Sequence, residues 1–121
     1  MKIVTDKAMN IPLDQFFSDQ VRFMTDFVDF ENLALVEYGA QHGKHSIALL
    51  EAGARWAVAV EGRWENISAA SNPYPERLLF LNQDVRSMAN IGWLGTFDAG
   101  LILGLLYHLD YPVAFLRDQL R

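Results

Sequence analysis

The chain contains no cysteine among its 121 residues. This absence excludes disulfide bonds, thiolate metal sites and a cysteine nucleophile. Basic residues are also few, 10 against 15 acidic residues, and the net charge of -5 does not indicate a nucleic-acid partner, which needs a basic face. The longest apolar run, residues 101–107, is far too short to cross a membrane. With no signal-peptide pattern at residues 1–6, we expect a cytoplasmic protein without a membrane partner.

What the chain does contain is an alternation of helical and strand patterns. The length predicts one domain over residues 1–121, with an N-terminal arm and helix at 1–30 and a βαβ core at 31–121. Apolar residues recur at helical spacing over residues 13–27, which predicts an amphipathic helix; we interpret its aromatic stripe as core packing, with a lid over a ligand site as the alternative. Further helices are predicted at 46–52, 64–71 and 112–120, strands at 33–38, 56–61, 78–82 and 97–103, and a short loop or helical turn at 84–90. This rhythm predicts an α/β fold with a mostly parallel sheet.

A glycine-bearing turn joins the first strand to the first crossover helix. Gly39 and Gly43 can adopt backbone angles that other residues avoid, and the helix start beyond them offers N–H groups and a positive dipole end. Glu37 lies two residues before the first glycine. A carboxylate at this place suits a cationic ligand, and it can also fix the loop through backbone N–H groups.

Acidic residues also stand at the ends of the next two strands. Glu61 lies 22 residues after Gly39, a spacing typical of a carboxylate that accepts both hydroxyls of a ribose. The glycine loop upstream favours this role over the alternative, a solvated residue that caps the strand. Asp84 has two open roles, acceptor for an exocyclic amine such as that of adenine or N-cap of the following turn. The carboxyl ends of parallel strands are where open α/β sheets bind ligands.

The loop does not match a dinucleotide-binding sequence. Counted from Gly39, the second and third glycines of G-x-G-x-x-G are replaced by Gln41 and Lys44. The sequence fits E-x-G-x-x-x-G better. A nucleotide-dependent oxidoreductase, which would need such a loop, therefore ranks last among the functions that we consider.

The segment VEYGAQHG resembles the first motif of class I S-adenosylmethionine-dependent methyltransferases, an acidic residue, any residue and then three alternating glycines. Here Gln41 replaces the middle glycine. The similarity continues with Glu61 after VAV, with Asp84 in FLNQDV and with FDAGLILGLLYHLDYP, so that it covers residues 33–120. The resemblance implies a three-layer Rossmann-like sandwich with strand order 3-2-1-4, preceded by the N-terminal helix. It also implies S-adenosylmethionine as cofactor and S-adenosylhomocysteine as product.

The resemblance further implies roles for individual residues. Glu37 and Gly39 would lie by the methionine part, Glu61 by the ribose and Asp84 by the adenine amine. Tyr107 and His108 would lie towards the acceptor and are the candidate catalytic residues; His108 is a general base or a cap of its loop. The complete set of implied cofactor contacts is Glu37, Gly39, Ala40, Gln41, Gly43, Glu61, Gly62, Asp84, Val85, Gly104 and Leu105. His42 and His45 have no third ligand near them in sequence, so we expect no metal site.

The strand pattern ends after four strands, whereas the family that the chain resembles has seven. We therefore expect a form truncated after the fourth strand, either a methyltransferase or the cofactor-binding half of one. The alternative is a non-catalytic module that acts through a partner or a homodimer. Since residues 97–103 are apolar on both faces and would form a sheet edge, we expect a second copy or a partner protein to cover them.

Overall fold

The computed structural model describes residues 13–87, 95–103 and 111–119. Four strands and four α-helices lie in this part of the chain, with one 3₁₀ turn at Val85–Ser87. The helices are α1 (Leu13–Phe27), α2 (Lys44–Glu51), α3 (Trp64–Ala69) and α4 (Pro112–Gln119), and the strands are β1 (Ala34–Tyr38), β2 (Trp56–Glu61), β3 (Leu78–Asn82) and β4 (Ala99–Ile102).

The chain divides into two compact units between Phe30 and Glu31. The first unit contains α1, whose 15 residues match the helix predicted from the apolar spacing. The second unit contains the sheet and the other helices. The candidate site belongs to the second unit alone.

The four strands form one parallel sheet in the order β3-β2-β1-β4, as the sequence predicted. The register sets Glu37 of β1 beside Ala59 of β2, and Glu61 of β2 beside Asn82 of β3. All of β1 is buried, because it lies between β2 and β4 and is covered on both faces. Parallel pairing brings the carboxyl ends of all four strands to one edge of the sheet.

Two neighbouring residues of β1 show that helices lie on both faces of the sheet. Successive side chains of a strand point to opposite faces. Glu37 accepts hydrogen bonds from Ser46 of α2, while the hydroxyl of Tyr38 donates to Gln119 of α4. Helices α2 and α4 therefore cover opposite faces, and the second unit is the three-layer sandwich that the sequence predicted.

An apolar cluster fills the α4 face of the sheet. Val36, Tyr38, Val58 and Val60 form its buried centre. They alternate along β1 and β2 with the residues that point towards α2, as the two-residue period requires. The partly buried residues packed against this centre are Trp56, Leu81, Val85, Phe97 and Ile102.

Several element ends differ from the sequence prediction. Helix α2 begins at Lys44, two residues earlier than predicted, because the left-handed Gly43 serves as its N-cap. Helix α3 ends at Ala69, since Ala70 already has extended backbone angles. Strand β4 occupies residues 99–102 of the predicted 97–103. The predictions for residues 1–12, 88–94, 104–110 and 120–121 lie outside the described residues.

Candidate functional site

The loop between β1 and α2 is a tight turn held by its own backbone. The N–H groups of Gly39 and Ala40 both donate to the carbonyl of Val60, at 2.9 Å each, and the N–H of Gly43 donates to the carbonyl of Ala40 at 2.9 Å. Gly39 and Gly43 have positive φ angles of 70° and 75°, which the predicted role of these glycines requires. Gln41 also has a positive φ, 55°, although it is not a glycine. The loop therefore keeps a glycine-type backbone at the position where the family motif has its middle glycine.

Gly43 is required by its surroundings as well as by its angle. A Cβ atom at this position would lie 2.7 Å from Cζ of the Phe80 ring. Phe80 belongs to β3 and points to the α2 face, as Glu37 and Glu61 do. The close approach of loop and ring thus fixes where helix α2 begins.

Glu37 is buried, with only 2 % of its surface exposed. Its Oε1 accepts a hydrogen bond from the hydroxyl of Ser46 at 2.8 Å and one from the backbone N–H of Ser46 at 3.3 Å. Ser46 is the third residue of α2, so the carboxyl group satisfies one of the N–H groups that a helix leaves unpaired at its start. The contacts of Glu37 are those of a residue that fixes the loop, one of the two roles considered from the sequence.

His45 lies beside Glu37, with Nδ1 3.6 Å from the carboxyl Oε2. Burial raises the pKa of Glu37 from 4.5 to about 7, and the hydrogen bonds from Ser46 offset this only in part. Burial also lowers the pKa of His45 below its ordinary value of 6.5. Both shifts favour the uncharged forms of the two groups, because burial penalises a charge on either side chain.

Glu61 stands at the carboxyl end of β2 and is buried to a similar degree, with 6 % of its surface exposed. Its Oε1 accepts from the N–H of Gln41 at 3.0 Å. Its Oε2 accepts from the N–H of Arg63 at 2.8 Å and from the side-chain amide of Asn66 at 3.0 Å. Glu61 is therefore no solvated strand end: it joins the glycine loop to the first residues of α3.

Asp84 follows β3 and is engaged with Arg86. Its Oδ1 accepts from the backbone N–H of Arg86 at 2.9 Å, and its Oδ2 lies 2.7 Å from the Arg86 guanidinium. The side-chain and backbone hydrogen bonds from Arg86 lower the pKa of Asp84. The backbone bond is the capping contact considered from the sequence, and the same carboxylate lies at the sheet edge where the adenine amine was predicted to bind.

The remaining predicted contacts are divided between described and undescribed parts of the chain. Gly62 lies near Asp84, since a Cβ atom built on Gly62 would be 3.6 Å from the Cα of Asp84. Val85 packs against the apolar cluster of the α4 face. Four predicted site residues lie outside the described residues: Gly104, Leu105, Tyr107 and His108. The described residues contain no group of three or more His, Asp or Glu that could hold a metal ion, and no helix among them is long and apolar enough to span a membrane.

The fold of this chain is similar to that of several solved structures. The scan against protein-family models finds no match, and the search of curated proteins finds no match. The chain is 30 % identical to EvdMO1 over 85 % of its own length, with a TM-score of 0.71, and covers 25 % of that protein. It is also 30 % identical to the N-terminal domain of EvdMO1 with S-adenosylhomocysteine bound, with a TM-score of 0.70, covering 84 % of this chain and 43 % of that one.

A third structure shares the fold at lower identity. Magnesium protoporphyrin IX methyltransferase from Synechocystis PCC 6803, with S-adenosylmethionine bound, is 19 % identical with a TM-score of 0.65, and the match covers 87 % of this chain and 51 % of that one. The chain has the class I S-adenosylmethionine-dependent methyltransferase fold. The family resemblance predicted from the sequence is thus confirmed. The chain spans between a quarter and about half of the length of these structures.

Three side chains bond to the three candidate acids and were not predicted from the sequence. Ser46 holds Glu37, Asn66 holds Glu61, and Arg86 holds Asp84. Ser46 and Asn66 lie in the first turn of a helix, and Arg86 lies two residues after its acid. None of the three belongs to the family motif. The spacing of five residues between Glu61 and Asn66 was the available signal, because it places the amide in the first turn of the helix after β2.

Proposed function

We propose that this chain binds S-adenosylmethionine and is a methyltransferase or the cofactor-binding half of one. The observation that carries the proposal is Glu61, a buried carboxylate at the end of β2 that is bonded directly to the glycine loop. Ligands of open α/β sheets bind at this edge. The presence of S-adenosylhomocysteine or S-adenosylmethionine in structures of the same fold supports the choice of ligand.

The donor and acceptor groups of the site fit an adenosyl cofactor. Glu61 would accept from the ribose, and the backbone of the Gly39–Gly43 loop would lie along the amino-acid part. Asp84 would accept from the adenine amine, for which the exposed Arg86 guanidinium has to withdraw. Glu37 would act on the cofactor through the loop, because its carboxyl group is already bonded to Ser46.

Methyl transfer asks little acid–base chemistry of these residues. The sulfonium of the bound cofactor supplies an already activated methyl group, and the protein's task is to align donor and acceptor in line. Tyr107 and His108, the candidate catalytic residues, and Gly104 and Leu105, the further candidate cofactor contacts, stay predictions from the family resemblance. Their assignment forms part of this proposal.

Titration calorimetry with S-adenosylhomocysteine tests the proposal. We expect saturable binding by the wild type and a loss of about 10- to 100-fold in affinity for Glu61→Ala, the range for a hydrogen bond to a charged group. Glu65→Ala is the matched control, because it removes the same charge from the exposed side of α3 and should leave the affinity unchanged. Wild-type protein that gives no binding at millimolar ligand contradicts the proposal, and binding of a nicotinamide dinucleotide instead supports the oxidoreductase hypothesis.

The edge strand favours a second, compatible proposal, that the chain works with a second copy or a partner protein. Within the described residues β4 pairs only with β1, and Leu103 directly after it is 38 % exposed. Apolar edge strands tend to pair with other chains. Sedimentation velocity at micromolar concentration should show an assembly that Leu103→Lys weakens. A wild-type protein that stays monomeric at this concentration contradicts self-association.

We also propose a cytoplasmic location, in keeping with the lack of cysteine.

A further inference from the structure

We infer that Glu61 offers the cofactor ribose one acceptor position rather than two, and that Asn66 is the residue that sets this limit. The inference rests on the proposed function. It concerns how this particular chain recognises the 2′,3′-diol. The observation behind it is the set of hydrogen bonds that already occupy the carboxylate.

A carboxylate has about four acceptor positions, two on each oxygen. In the described part of the chain, three of these positions on Glu61 are filled. Oε2 accepts from both the N–H of Arg63 and the amide of Asn66, and Oε1 accepts from the N–H of Gln41. One position is left, and it lies on Oε1.

The three donors differ in how firmly they are held. Two are backbone N–H groups: Gln41 lies in the turn closed by the Ala40–Gly43 hydrogen bond, and Arg63 is the N-cap residue of α3. Removing either from the carboxylate would move the main chain. Asn66 is a side chain whose loss leaves the main chain intact. It is therefore the residue whose presence or absence decides whether a second ribose hydroxyl can reach Oε2.

A ribose diol that met an unoccupied carboxylate would donate from both hydroxyls. Here only one hydroxyl has a charged acceptor to meet. The two hydroxyls should then contribute unequally to affinity. A hydrogen bond to a charged group corresponds to about 10- to 100-fold in affinity, whereas a hydroxyl without such a partner contributes little.

Binding of S-adenosylhomocysteine and of its 2′-deoxy and 3′-deoxy analogues to the wild-type protein, measured by titration calorimetry, tests the inference. We expect one deoxy analogue to bind about 10- to 100-fold more weakly than the parent and the other to bind within about threefold of it. A comparable loss with both analogues overturns the inference while leaving the proposed function standing. Wild-type protein that does not bind S-adenosylhomocysteine at all refutes the proposed function, and the inference with it.

The variant Asn66→Ala gives the second arm of the test. With the amide removed, Oε2 gains a vacant position, so both deoxy analogues should now bind at least about tenfold more weakly than S-adenosylhomocysteine. Ser68→Ala is the control, because its hydroxyl donates to the Glu65 carbonyl on the same helix and does not contact Glu61. A one-sided loss that persists in folded Asn66→Ala contradicts the role given to Asn66.

Discussion

The buried Glu37 predicts an unusual dependence of stability on pH. Burial raises its pKa in the folded protein from 4.5 to about 7. Between these two values the folded chain keeps a proton that the unfolded chain releases, so the free energy of unfolding falls as the pH rises. The stabilising contribution is complete below pH 4.5 and is lost by the time the pH passes about 7.

The size of the effect follows from the displacement of the pKa. At about 1.4 kcal/mol for each tenfold change in proton affinity, the displacement corresponds to about 3 kcal/mol. This is a large share of the stability of a small domain, which is about 5–15 kcal/mol. His45 works in the opposite direction: its lowered pKa means that the unfolded chain binds a proton more readily, so its contribution to stability rises as the pH approaches 6.5.

The variant Glu37→Gln separates the two groups. The amide keeps the shape and an oxygen that can accept from Ser46, but it does not titrate. We expect the stability of the wild type relative to the variant to fall by about 3 kcal/mol between about pH 5 and about pH 8, measured by urea unfolding at constant ionic strength. Glu65→Gln, an exposed glutamine replacement on α3, should keep the wild-type dependence. A difference between the wild type and Glu37→Gln that is flat over this range, or that grows with pH, refutes the account of Glu37.

Two further predictions concern the frame of the site. Gly43→Ala should destabilise the protein by about 2–4 kcal/mol in urea unfolding, because the added Cβ clashes with the Phe80 ring and the residue has a positive φ. Gly95→Ala is the control: Gly95 has a φ of 104° and no atom within 4 Å of the added Cβ, so only the backbone cost should appear. Equal losses of stability in the two variants would contradict the clash. Arg77→Ala should cost about 1–3 kcal/mol in urea unfolding, because the guanidinium donates to the carbonyl of Leu50 in the last turn of α2 and to that of Ala54, three residues beyond the helix. Arg77→Lys should recover only part of the loss, and full recovery would show that charge alone suffices.

Periodicity and composition were enough to predict the strands of a mostly parallel sheet. Strand β2 reads WAVAVE and is buried from Ala57 to Glu61, so its bounds were predicted correctly. The order β3-β2-β1-β4 was implied by the family resemblance and is confirmed. The start of α2 was predicted two residues late, because it depends on the left-handed Gly43 and on the contact of that glycine with Phe80, a residue 37 positions away. A pattern within one segment does not contain such contacts.

The candidate site was likewise predicted only in part. The three acids Glu37, Glu61 and Asp84 were selected because they stand at or just after the carboxyl ends of three strands, which meet at one edge of the sheet. Their partners were not predicted, since whether a carboxylate is open or already bonded depends on which neighbouring donors the tertiary fold brings within about 3 Å. Gln41 is a further example: its side chain departs from the family motif, but its φ of 55° is an angle that favours glycine.

The two buried acids hold the glycine loop and the start of the helix after it at two different points, and this has a consequence for any variant made at the site. Glu61 bonds to the N–H of Gln41 inside the loop, while Glu37 bonds to Ser46 at the helix that the loop leads into. Removing Glu61 therefore deprives the ligand of an acceptor and the loop of a tether at once, so that affinity lost in Glu61→Ala combines both effects. Asn66→Ala keeps the Glu61 carboxylate and its bonds to the main chain, and it opens one acceptor position on Oε2. The ratio between the affinities of the two deoxy analogues, more than any single affinity, is thus the quantity that reports recognition of the ribose by Glu61.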